Sequence, residues 1–228
     1  MISIPSTSKS YIAEFFASFI FCFAISMAQG NKVPNVVFVV TFVKIAISFA
    51  FENLTLKYTN PAITFAVAVI GLLNIKQALK YIFFQICGFI AGSGLSRFLL
   101  GKNYIIVYQN TQSQDLHQLF FLELCVNITT SIIITENIIF SNEITTYNRK
   151  LIGGSFRRDK TVLMLVIGPT IGLTALISSA SEGGIFNPGF VISTFLISNK
   201  YRFLWGYLLS DFTGSIIGSL IVKHLLLS

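Results

Sequence analysis

The chain alternates long apolar runs with short polar connections. Six runs approach the ~20 residues that a helix needs to cross a bilayer core. They fall near Tyr11–Ala28, Val36–Phe51, Ala78–Leu100, Leu116–Phe140, Thr161–Ala180 and Phe203–Leu226. The second is short and carries Lys44. Two further runs, Asn60–Leu73 and Asn187–Ile197, are as oily as the others but about half as long. Each opens with asparagine, proline and a small residue: Asn60-Pro61-Ala62 and Asn187-Pro188-Gly189. Proline suits the first helical turn, where its missing N–H costs nothing, and asparagine before it is a good N-cap. Both half-length runs therefore predict helices that begin abruptly and stop after about three turns.

The polar positions inside the runs repeat. The third run reads Tyr81-x3-Gln85-x2-Gly88-x3-Gly92, and the sixth reads Tyr207-x3-Asp211-x2-Gly214-x3-Gly218. The first and fourth each carry one acid early, Glu14 and Glu123. Residues 9–100 and 116–227 are thus two halves of the same plan within a single domain, residues 1–228. Each half has three spans, an odd number, so the halves face opposite ways across the membrane. The predicted fold is an all-α membrane protein of six transmembrane helices and two re-entrant half-helices in an inverted repeat.

Composition narrows the class. Of 228 residues 54% are apolar and 11% charged, with 23 Phe and a mean hydropathy of +0.75. Soluble domains carry about 25% charged residues. The net charge of +7 does not indicate nucleic acid, because the basic residues lie in connections and at run ends. With a cytosolic N-terminus and re-entrant half-runs, ten basic residues fall inside and five outside, which places both termini in the cytosol. The connection 141–160 is then a basic cytosolic loop, where Arg157-Arg158 beside Ser155 and Thr161 reads as positive-inside sequence before it reads as a phosphorylation gate. Lys9 and "SMAQ" resemble a cleavable signal, but Glu14 and the length of the run argue against cleavage. Cys22, Cys87 and Cys125 show no disulfide or metal spacing, and His117 and His224 sit at run ends. No catalytic residue, metal or cofactor is expected.

Opposed halves bring the two half-helices N-terminus to N-terminus near the midplane. Each start carries roughly half a positive charge, which repels a cation, while the Asn60 and Asn187 amides offer donors to a passing oxygen. Such a site suits water or small polyols. These motifs, with Glu14 in "AEFF", Glu123 in "LELC", Gln85 with Gly88 and Gly92, and Trp205-x-Tyr207 with Gly214, make the chain similar to the major intrinsic protein (aquaporin and aquaglyceroporin) family. The resemblance implies a channel with one pore per subunit, commonly a homotetramer in the lipid bilayer, here expected in the plasma membrane. It also implies that Glu14 and Glu123 accept hydrogen bonds from the re-entrant loops.

Departures from the family pattern are local. The second motif runs Asn187-Pro188-Gly189-Phe190, where the family usually has alanine and then arginine. The resemblance implies an outer selectivity filter with Phe190 in the place of the arginine and, transferred by spacing from the motifs, Val40, Ala175 and Gly184, small or apolar throughout, hence wider or less polar than a strict water filter. Lys44 lies one turn from Val40 on the same helix face. It is a candidate pore cation that restores the charge lost with the arginine; the alternative is a lysine reaching the interface or paired with a neighbour. The expected function is passage of water, with glycerol next. The alternatives are an ion- or anion-permeable pore, and a non-conducting structural protein whose filter Phe190 blocks.

Overall fold

The protein is described from a computed structural model, which places residues 8–51, 54, 58–101, 116–140, 160–179, 186–198 and 204–227. The described residues form eight helices: α1 Ser8–Gly30, α2 Val36–Ala50, α3 Pro61–Val69, α4 Ile75–Leu100, α5 Leu116–Phe140, α6 Lys160–Ser179, α7 Pro188–Ser198 and α8 Leu204–Leu227. Four are long and apolar enough to span on their own: α1, α4, α5 and α8. In α2 and α6 the apolar stretches are shorter, Val36–Ala50 and Met164–Ile177, and these two helices pack on each other. Gly168 and Gly172 of α6 lie against Ile45 and Thr41 of α2.

The half-length helices start and stop as their end chemistry dictates. Asn60 caps α3, its Oδ1 accepting from the Ala62 N–H at 2.9 Å, with Pro61 in the first turn. The helix stops at Val69, four residues before the apolar run does. Gly71 then turns the chain at φ +84°, a conformation glycine adopts without strain, while its N–H and that of Leu72 close on Ala68 and Val67. Asn74 caps α4 directly afterwards.

Helix contacts come in matched pairs. The most extensive join α1 to α4 and α5 to α8; α7 lies on α4 as α3 lies on α8; α1 meets α2 as α5 meets α6. Exchanging the halves reproduces the set, as an inverted repeat requires. The close pairs meet at glycine. A Cβ on Gly88 would fall on the Phe15 carbonyl of α1, and one on Gly214 would come within 2.8 Å of the Leu124 carbonyl of α5. Small residues are what lets helices approach this closely where lipid supplies no hydrophobic drive.

The buried face of the first helix in each half carries a polar stripe. Glu14, Ser18, Cys22 and Ser26 recur every four residues in α1, and Glu123, Asn127, Ser131 and Thr135 do so in α5. Large apolar side chains face outward instead, among them Phe42, Phe83, Phe98, Phe121 and Leu173. This inside-out distribution is that of an integral membrane protein.

Candidate functional site

The site is assembled where α3 and α7 begin. Asn60 and Asn187 each cap their own helix through Oδ1 and reach across to the other loop through Nδ2. Asn60 Nδ2 donates to the Phe186 carbonyl at 2.8 Å, and Asn187 Nδ2 donates to the Thr59 carbonyl at 2.7 Å. Each acceptor is the residue just before the opposite asparagine. The cap needs an oxygen toward the backbone N–H groups, so the amide orientation is dictated by the contacts on both sides.

Thr59 has φ +44°, rare for a β-branched residue and costing about 1–3 kcal/mol. Every polar atom it has is held. Its N–H donates to Glu14 Oε2 at 3.1 Å, its carbonyl accepts from Asn187, and its hydroxyl donates to the Tyr58 carbonyl while accepting from the Lys44 ammonium. Lys44 Nζ also donates to the Tyr58 carbonyl at 3.1 Å and stands 5.8 Å from the Phe21 ring centroid. Gln85 Nε2 donates to Glu14 Oε2 at 2.8 Å and to Thr64 at 3.0 Å, so the carboxylate, the glutamine and the strained loop are one network.

A cavity of ≈ 30 Å³, room for one or two waters, opens against these groups. Its polar wall includes Lys44, Thr59, Asn60, Thr174 and Asn187; its apolar wall includes Phe21, Ile25, Val40, Ile171, Ala175 and Phe186. A small cavity with few polar groups and two helix starts can hold and orient a small neutral molecule. Among the described residues no group of three or more His, Cys, Asp or Glu could hold a metal.

A family model described as major intrinsic protein matches residues 1–222. An aquaporin of Vairimorpha ceranae (strain BRL01) is 32% identical, the match covering 96% of this chain and 95% of that one. The chain belongs to the major intrinsic protein family. An aquaporin of Encephalitozoon hellem is 28% identical over 93% of this chain and 92% of its own. The X-ray structure of the aquaglyceroporin from Plasmodium falciparum matches with a TM-score of 0.74 at 17% identity, covering 93% of this chain and 94% of that one. At that identity it establishes the fold, which is the aquaporin fold.

Within this family frame the sequence-expected residues fall as follows. Asn60, Pro61, Ala62, Asn187, Pro188 and Gly189 come together, all buried. Val40, Lys44 and Ala175 line the cavity. Gly184 lies outside the described residues. Phe190 is buried completely, its ring in T-shaped contact with Phe89 at 6.2 Å, and it is not among the residues lining this cavity. The aromatic that the second motif does bring to the wall is Phe186, which spacing from the motifs did not single out although it abuts Asn187.

The same Phe89 accounts for Gly189. A Cβ at Gly189 would overlap the Phe89 ring, so the alanine of the first motif has no room in the second. Glycine, Phe190 and Phe89 form one packing unit. The two acids also differ. Glu14 is partnered as expected, but both Glu123 oxygens and Asp211 Oδ2 are buried without a hydrogen-bond partner among the described residues. Asp211 occupies the place of Gln85, and its other oxygen accepts from Asn127 Nδ2 at 2.7 Å.

Proposed function

We propose that the protein is a passive transmembrane channel that passes water in single file, with small polyols such as glycerol as the next permeant. The observation that carries this reading is the crossed pair of amides at the two opposed helix starts. One hydrogen of each amide is committed to the opposite carbonyl, which leaves the second for an oxygen in the cavity that both asparagines line. The helix starts disfavour a cation at the same point. Asn60 and Asn187 orient the permeant, while Val40 and Ala175 shape the passage on its apolar side. Transport of this kind needs neither a cofactor nor energy coupling.

The halves 9–100 and 116–227 form one channel domain, with 141–160 as a basic loop on the cytosolic side and both termini there. The plasma membrane and a homotetramer with one pore in each subunit complete the reading, in keeping with the charge asymmetry and the family.

Stopped-flow light scattering on purified protein in proteoliposomes tests it. Under a sucrose gradient shrinkage should be several-fold faster than in protein-free vesicles, and under a glycerol gradient re-swelling should follow. Shrinkage no faster than bare lipid, with folded and oriented protein, would sink the proposal. Fast shrinkage without re-swelling would restrict the channel to water.

A further inference from the structure

We propose that Lys44 is the ion-excluding residue of this channel, a fixed positive charge in the water passage that Glu14 neutralises from behind through Thr59. The inference rests on the channel reading above and adds to it the residue that rejects protons and cations.

Three observations converge on the side chain. Lys44 is 1% exposed and its ammonium is bonded to the buried Tyr58 and Thr59, so it is not a snorkelling group at the outer surface. It lines the same small cavity as Asn60 and Asn187, and its ammonium is held by Tyr58 and Thr59, which line that cavity too. Finally, it is anchored. Its Nζ donates to the Tyr58 carbonyl and the Thr59 hydroxyl, and Thr59 passes its own N–H to the Glu14 carboxylate, which attracts the ammonium electrostatically.

This arrangement answers how a lysine is tolerated at such depth. A buried charge needs a counter-charge and hydrogen bonds. Glu14 supplies the first, and Tyr58 and Thr59 supply the second. The pair adds no net charge to the protein interior, but its two ends are not equivalent. Lys44 and both acceptors of its ammonium line the cavity, whereas Glu14 does not, sharing Oε2 between Thr59 and Gln85. A hydronium or metal cation in the passage therefore meets Lys44 and two helix starts before it can feel the carboxylate, and at an effective dielectric of about 20 a unit charge ~4 Å away is a barrier of many-fold in rate. A neutral molecule meets only donors. The Glu14 charge behind the loop weakens, without cancelling, the attraction of the same groups for an anion.

The test must separate this role from simple support of the loop, because Lys44→Met alone leaves Glu14 buried without its partner. The informative variant is Lys44→Gln with Glu14→Gln, which keeps donors for Tyr58 and Thr59 and removes both charges. Proteoliposomes with an entrapped pH dye, clamped with potassium and valinomycin, report proton entry, and the same vesicles report water by light scattering. Wild-type protein should pass water with proton entry at the level of bare lipid. The double variant should still shrink faster than bare lipid, which shows it is folded and open, but admit protons roughly tenfold faster or more. Lys44→Arg should stay proton-tight. A double variant that is open to water and as proton-tight as wild type would overturn the proposal and leave Lys44 a structural anchor. Wild-type protein that itself leaks protons would overturn it as well, even if neither variant folds. Wild-type protein that passes no water would instead remove the channel reading on which the proposal stands.

Discussion

Glu14 and Glu123 occupy the same place in the two halves but live in different company. Glu14 accepts from a backbone N–H and from Gln85, and a lysine charge lies one residue away. Glu123 faces Asp211, with which it interacts as a like charge, and neither of its own oxygens has a donor among the described residues. Two adjacent carboxyl groups in a bundle interior are expensive. Asp211→Asn removes one of them and supplies an amide donor, as Gln85 does opposite Glu14. Satisfying a buried acceptor is worth about 1–3 kcal/mol, and each kcal/mol moves the midpoint of a chain this size by roughly 2–4 °C. We therefore expect D211N to raise Tm in detergent by a few degrees, read by intrinsic fluorescence. A lower Tm would mean that the Asp211 carboxyl makes a contact the asparagine cannot replace.

At the scale of elements, α7 is more than a copy of α3. It starts with the same cap and the same proline, yet its second residue, Gly189, is pressed against Phe89 of α4 and its C-terminal end is held by Arg97, which donates to the Ile197 carbonyl. Basic groups at a helix C-terminus also favour its dipole. Both ends of the second half-helix are thus pinned to α4. Gly189→Ala should disturb this seat, since the added methyl meets a ring that is itself fully buried. Overpacking of that kind costs about 1–3 kcal/mol, so G189A should melt several degrees lower and pass water more slowly, whereas G189A with Phe89→Leu should recover much of both. An alanine variant as stable as wild type would show that Phe89 moves aside freely.

The whole molecule is two opposed halves locked at their half-helices, and its outer surface is a belt of large apolar side chains with Trp205 and Phe98 among the most exposed. The cavity lies within one chain, between α1, α2, α6 and the two helix starts. Assembly and permeation are therefore separable. Native mass measurement in detergent should give four chains per particle for the proposed homotetramer. Each chain should conduct alone, so that mixed particles with an Asn187-blocked subunit lose permeability in proportion to the blocked fraction. A steeper loss would place the path between subunits.

Much of this architecture is legible in the sequence. The two half-helices followed from a cap and a proline next to a run too short to span, which are local facts of chain chemistry. The inverted halves followed from spacing: Tyr81 to Gly92 against Tyr207 to Gly218, and Glu14 against Glu123. Even the buried polar stripes of α1 and α5, every fourth residue, are present in the sequence, although a helix apolar on its lipid face gives no contrast to reveal them.

The lining of the passage was not readable in the same way. Spacing put Val40 and Ala175 on the path, but it could not tell that Phe190 turns inward to Phe89 while Phe186 turns to the cavity. The crossed amide bonds join residues 126 and 128 positions apart, and the Lys44 contact depends on a loop held at a positive φ by groups from three helices. The sequence by itself determined which runs are helices, which of them are too short to span and that the halves oppose, because caps, glycine turns and apolar length act within a few residues. Only the tertiary structure decided which side chains meet at the center, because that depends on helix rotation and close packing across the whole fold.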